Sequence, residues 1–188
     1  MRDISLHLMD IVQNSLRAQA ALIQIRMTLD EKGTLTLVVE DDGCGMGHEL
    51  MSRVQNPFAT TRKSRRVGLG LPLLTENARR TGGDVTIDSK PGKGTKVTAV
   101  FYTDHIDCLP MGDVAESILA LVIACPQKPD FAFSLTAPRG EASLDTRLMR
   151  EKLQGVKLTE PEVIAWMQAS LKEEIQQVFG GTDYEIHR

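Results

Sequence analysis

At 188 residues, 41% of them hydrophobic and 25% charged, the chain can bury the core of one substantial domain with an appended piece, and it lies far from the composition of a disordered protein. Its net charge of −3 argues against non-specific nucleic-acid binding, and three scattered cysteines, Cys44, Cys108 and Cys125, exclude a disulfide framework and a paired-thiol zinc site, which points to a reducing cytoplasm. Polar Asp3, His7, Asp10, Gln13, Asn14 and Arg17 interrupt the apolar N-terminal stretch, and the longest apolar run, Ile118 to Cys125, is too short for a span, so neither a signal peptide nor a membrane anchor is expected.

In chain order, Leu8, Ile11, Val12, Leu16 and Ala20 recur at helical spacing and predict an opening amphipathic helix. Leu22 to Leu29 and Thr34 to Val39 alternate around a turn at Glu31-Lys32-Gly33, which predicts an antiparallel strand pair. A glycine-rich loop, Asp41 to Gly47, precedes a short helix expected over His48 to Gln55, and Ala59 to Val67 is basic and aperiodic, as a loop would be. Leu69 to Thr81 returns to helical spacing, with Pro72 in the first turn and Gly82-Gly83 as the stop. Asp84 to Ser89 and Lys96 to Tyr102 form a second strand pair. This order predicts an α+β architecture, a two-layer sandwich with helices on one face of a mixed sheet.

Beyond Asp104 the pattern changes. Asp113 to Ala124 reads as an apolar helix; Phe131, Phe133 and Leu135 alternate before a turn at Pro138-Arg139-Gly140, and a return strand is expected near Ala142 to Leu144. Two such short strands need a third to be stable. Helices follow over Asp145 to Leu153 and Glu160 to Phe179, the latter with Thr159 as expected N-cap, Pro161 near its first position, and Val163, Ile164, Trp166, Met167, Leu171 and Ile175 as a core-facing stripe. Residues 105–188 are therefore expected to form a C-terminal α+β extension packed on residues 1–104.

The chemistry concentrates in the first hundred residues. Asp10, Asn14 and Arg17 fall one turn apart on one face of the opening helix; an amide oxygen there suits Mg²⁺, and an arginine suits phosphate. Asp41-Asp42-Gly43-Cys44-Gly45-Met46 follows a strand directly, so that Asp41 can accept from an adenine amino group and Met46 can pack on the base. Asn56-Pro57-Phe58-Ala59-Thr60-Thr61, the basic run Arg62, Lys63, Arg65 and Arg66, and Val67-Gly68-Leu69-Gly70-Leu71 supply an aromatic anchor, a cover and a glycine-lined helix start that favours phosphate. Gly92-Lys93-Gly94-Thr95 adds a turn with a hydroxyl able to reach the base. Read by itself, each motif also has a plain structural explanation: a solvated helix face, a common turn, a hairpin.

Taken in order, these motifs resemble the N, G1, F and G2 boxes and closing Gly-Thr strand of the GHKL superfamily, the gyrase, Hsp90, histidine-kinase and MutL proteins. The resemblance covers about the first hundred residues. It implies a Bergerat-type ATP-binding sandwich in which Asn14 coordinates Mg²⁺, Asp41 recognises adenine, and residues 56 to 70 form an ATP lid. Phe58, Thr60, Thr61, Arg62, Lys63, Gly68, Leu69, Gly70, Leu71 and Thr95 would join Arg17, Gly43, Gly45 and Met46 around the nucleotide. Asp10 stands where hydrolysing members carry a glutamate general base, one methylene longer, and Arg66 stands where the G2 box usually opens with glycine. The N box starts close to Met1, so the helical hairpin with a phosphoacceptor histidine that sensor kinases carry upstream is not expected. His7, one turn before Asp10, could tune that carboxylate or relay a proton, but is read first as a partly buried structural histidine; Cys44, inside the glycine-rich loop, could be oxidation-sensitive, but is read first as a small residue accepted between glycines.

Two functions remain open on these residues. One is a stand-alone ATPase or kinase subunit that cleaves ATP or transfers its γ-phosphoryl to a partner protein with Asp10 as base. The other is an ATP-dependent switch or binding module with little or no catalysis. Handling of DNA is not expected, because no long basic transducer domain follows.

Overall fold

The computed structural model describes residues 2–47, 51 and 70–179. Helix α1 (Ile4–Arg17) starts where the Asp3 carboxylate accepts the Leu6 N–H at 2.8 Å, and it buries Ile4, Leu8, Ile11 and Val12. Strands β1 (Leu22–Leu29) and β2 (Thr34–Asp41) form the first hairpin, its turn held by Asp30, whose Oδ1 accepts from the Lys32 and Thr34 N–H groups at 2.9 and 2.7 Å. Helix α2 (Gly70–Arg80) leads through Gly82, at φ +87°, into β3 (Val85–Lys90) and β4 (Gly94–Tyr102). Helix α3 (Val114–Ala124), capped by Asp113, precedes β5 (Asp130–Ala137), β6 (Gly140–Asp145), α4 (Thr146–Leu153) and α5 (Pro161–Val178). Of the helix expected over residues 48–55 only Met51 is described, as helical, its N–H donating to the Gly47 carbonyl at 3.0 Å.

All six strands form one sheet in the order β3-β4-β2-β1-β5-β6. Every pairing is antiparallel except β1 with β5, which run parallel with Ile25 beside Phe133. The register carries one apolar row across the sheet: Val97, Val39, Ile25, Phe133 and Leu144 are neighbours in turn and all buried. The opposite face carries half-buried Gln24, Arg26, Thr36, Glu40, Thr98 and Ser134. A sheet apolar on one side only needs helices on that side only, which gives the two-layer α+β sandwich. The third strand that β5 and β6 require is β1, so the C-terminal strands extend the first sheet.

Two local expectations fail. Thr159 does not cap α5: Glu160 occupies the N-cap position with extended backbone (φ −65°, ψ 135°) and makes no side-chain cap bond. Pro161 explains the shift, since the residue before proline is pushed out of helical geometry. Trp166 does not join the core stripe and is 60% exposed, while Val163, Met167, Leu171 and Ile175, strictly four residues apart, are buried. A four-residue repeat tracks one side of a helix, and Trp166 falls about 100° off that line.

Candidate functional site

Helix α1 turns Ile11, Val12 and Ser15 inward, which leaves Asp10 and Asn14 on the solvent side. The Arg17 guanidinium reaches back one turn to Asn14, its Nη1 3.5 Å from Oδ1. One amide oxygen and one carboxylate on a helix face suit an oxygen-liganded divalent ion that keeps waters and takes further ligands from a phosphate. Among the described residues no cluster of three His, Cys, Asp or Glu side chains could hold a metal by itself.

At the end of β2, Asp41 is only 8% exposed. Its Oδ2 accepts the Ser15 hydroxyl at 2.7 Å and its Oδ1 accepts the Gly43 N–H at 2.9 Å. Two donors fix the carboxylate plane and leave lone pairs for a further donor. Asp42 points the other way, Oδ1 taking the Ala21 and Leu22 N–H groups at 2.6 and 2.9 Å and tying the loop to the start of β1.

Glycine is required in this loop by close backbone contact. A Cβ on Gly43 would come within 2.7 Å of the Ala18 carbonyl oxygen, and one on Gly45, at φ +65°, within 2.1 Å of the Lys90 carbonyl oxygen. Gly94, at φ +90°, lies so near β2 that a Cβ would sit 1.8 Å from the Asp41 carbonyl oxygen. These contacts, with the Cys44 N–H donating to Ala18 and the Gly92 N–H to Cys44, lock α1, the loop and the β3–β4 turn together. Ser89 is the pin: it accepts the Met46 N–H at 2.8 Å, donates to the Gly94 carbonyl at 3.0 Å, and lies 2.9 Å from the Thr95 hydroxyl. Thr95 is the register partner of Asp41. An open cleft lined by Asp41, Met51, Ser89, Lys93, Gly94 and Thr95 lies at this end of the sheet.

Helix α2 begins against α1. A Cβ on Gly70 would stand 2.9 Å from Asp10 Oδ2, so the first residue of α2 abuts the carboxylate, while Leu71 packs on the core. Two turns on, Asn77 Nδ2 lies 2.8 Å from Nε2 of His7, which is wholly buried rather than partly so. Burial pushes the His7 pKa below its ordinary 6.5, so the ring is neutral at physiological pH.

The structure thus brings Asp10 to Gly70, and Asp41, Gly43, Gly45, Met46 and Thr95 to one end of the sheet beside Asn14 and Arg17. Phe58, Thr60, Thr61, Arg62, Lys63, Gly68 and Leu69 lie outside the described residues. Sequence reasoning missed Ser15, Asp42 and Ser89. Ser15 did carry a signal, a hydroxyl on the apolar side of α1 that must find a partner when buried; Ser89 acts only through contacts the fold creates.

The chain belongs to the family described as histidine kinase-, DNA gyrase B-, and HSP90-like ATPase, whose model matches residues 2–105. It is 35% identical over 79 residues to the sensor kinase CckA of Brucella abortus, covering 42% of this chain and 8% of that protein. It is 32% identical over 97 residues to the sensor histidine kinase WalK of Bacillus subtilis, covering 47% of this chain and 16% of that protein. The chain therefore spans a small part of the length of these relatives. Among solved structures, the N-terminal domain of a DNA repair protein shares the fold over 96% of this chain and 57% of its own length, at a TM-score of 0.50 and 13% identity. Among the described residues no helix is long and apolar enough to cross a membrane.

Proposed function

We propose that the domain binds Mg-ATP at this end of the sheet and cleaves or transfers the γ-phosphoryl group, acting as an ATPase or kinase subunit on a partner protein. The observation that carries this reading is the Asp41 carboxylate: buried, aimed by Ser15 and Gly43, and retaining acceptor capacity for the exocyclic amine of adenine. Asn14 would hold the ion, Arg17 would meet phosphate oxygens, and Thr95 would complete the contacts at the base. When bound, Mg²⁺ neutralises charge on the triphosphate. Asp10, on α1 against the first residue of α2, would take the proton from a water or an acceptor hydroxyl as its oxygen attacks the γ-phosphorus; the bond to the β–γ bridging oxygen breaks and ADP departs.

Two relatives named as sensor kinases support phosphoryl transfer over hydrolysis alone, and the net charge of −3 favours a protein partner over nucleic acid. The second reading, an ATP-dependent switch without turnover, is favoured by one feature, the short carboxylate of Asp10 where a longer base would reach further. Tracing ³²P from γ-labelled ATP tests both. Release or transfer that is lost in Asp10→Ala, with nucleotide binding kept, supports catalysis; binding without release or transfer by the wild type, with or without partner proteins, supports the switch. In Asn14→Ala, Mg-ATP affinity should drop at least about 100-fold, close to 3 kcal/mol, as measured by calorimetry.

A further inference from the structure

His7 and Asn77 stand outside the chemistry just described, yet they join its two helices. The pair spans α1 and α2 with 2.8 Å between Nε2 and Nδ2, and the imidazole is 0% exposed. Its other nitrogen, Nδ1, is buried and has no hydrogen-bond partner among the described residues. One turn along α1 lies Asp10, and two turns back along α2 lies Gly70, packed against the Asp10 carboxylate. The two helices are therefore tied at one end by His7–Asn77 and meet at the other at the proposed catalytic group.

We propose that His7 is a positioning residue: its neutral ring, accepting from Asn77, holds the start of α2 against Asp10, and protonation of that ring loosens the helix pair and weakens nucleotide binding. The consequence rests on the nucleotide-binding reading above; the geometry of the latch does not.

The mechanism follows from the donor inventory. A neutral ring accepts from Asn77 at one nitrogen only. Protonation makes Nε2 a donor facing a donor, and although the Asn77 amide could turn to offer its oxygen, a positive charge would remain buried beside an unpartnered N–H. The charges acting on the ring are the amino terminus, which opposes protonation, and the carboxylates of Asp10 and Asp3, which favour it. From α2 the facing group is the uncharged Asn77 amide; β2 presents buried Leu35, Leu37 and Val39 to the helix layer, and α3 presents Val114, Ala115 and Ile118. Burial outweighs the two carboxylates and lowers the pKa from 6.5. The sign is then fixed. The latch is intact above the unfolded-state value near 6.5 and is lost as pH falls through the lower folded-state value.

The test measures Mg-ATP affinity by calorimetry from pH 8 to 5.5 for the wild type, His7→Gln and Asn77→Asp. Glutamine offers an oxygen to Asn77 without titrating; aspartate gives a protonated His7 a counter-charge. Because the terminal phosphate of ATP itself protonates in this interval, His7→Gln is the reference. At pH 5.5 the wild type should have lost about twofold more affinity than His7→Gln, and Asn77→Asp should retain most of it. Equal losses in wild type and His7→Gln would overturn the proposal. A ligand-free readout separates this outcome from a failure of nucleotide binding. Imidazole NMR should show His7 neutral at pH 6.5, with α2 amide exchange accelerating as the ring protonates; a ring titrating at an ordinary value, or α2 exchange indifferent to its state, overturns the latch whether or not ATP binds.

Discussion

Two buried aspartates sit at strand ends of the same sheet and are used in opposite ways. Asp41, at the end of β2, is 8% exposed and meets a hydroxyl and a backbone N–H; among the described residues no cation pairs with it. Asp130, at the start of β5, is 7% exposed and is surrounded by the Lys128 ammonium at 2.6 Å, the Thr146 hydroxyl at 3.1 Å and the Arg150 guanidinium. Burial pushes the Asp130 carboxyl up, but hydrogen bonds from Lys128 and Thr146 and the charge of Arg150 outweigh it and hold the group below the usual carboxylate range. One carboxylate is saturated by its own chain and fastens α4 to the sheet; the other is oriented but left with acceptor capacity. A buried carboxylate with unfilled acceptor capacity forgoes hydrogen bonds that water would give it, which is the physical reason to look for a donor ligand at Asp41 and not at Asp130.

The sharpest way to break this contrast is to delete each group. Asp41→Ala should lower ATP affinity by about 100-fold or more, with the fold kept; Asp130→Ala should leave affinity unchanged and cost about 3 kcal/mol of stability in urea unfolding, because it strands Arg150 and Thr146. A loss of affinity in Asp130→Ala, at conditions where it is folded, would erase the distinction. A smaller effect should follow from Ser15→Ala, which removes one of the two donors that aim Asp41: about 1 kcal/mol in binding, read by calorimetry, with a similar loss in stability. Acid tests the Asp130 half of the contrast as well. The stability that Asp130 contributes is complete above its unfolded pKa of 3.8 and is lost as pH falls through its lower folded value, so Asp130→Asn should flatten the acid limb of the unfolding curve relative to wild type. The smallest change expected in stability comes from Gly70→Ala, within about 0.5 kcal/mol because an exposed Asp10 can shift, while phosphate release drops about tenfold as that carboxylate is displaced.

The sequence pattern reached the fold where the signal is local. Helical spacing marks the buried side of α1, alternation marks both hairpins, and Gly82-Gly83 marks the end of α2. It did not reach the pairing of β1 with β5, which joins segments more than a hundred residues apart with nothing in either to name its neighbour. Thr159 and Trp166 mislead for local reasons: a proline moves a cap by one residue, and helical spacing read loosely admits a side chain that the strict four-residue repeat excludes. At the proposed site, Asp10, Asn14 and Asp41 can be nominated from sequence because their motifs are compact. Ser15, Ser89 and the His7–Asn77 pair are not, because their roles are contacts between elements; a serine on an apolar helix face announces that it needs a partner, but not which one.

The most direct measurement compares ATP with inosine triphosphate by calorimetry on the same protein in the presence of Mg²⁺. Inosine carries an oxygen acceptor where adenine carries its exocyclic amine, so only ATP can donate to Asp41 from that position. Adenine recognition by Asp41 predicts that ATP binds at least about 30-fold more tightly, roughly 2 kcal/mol, and that Asp41→Ala abolishes the preference. Equal affinity for the two nucleotides in the wild type would contradict it.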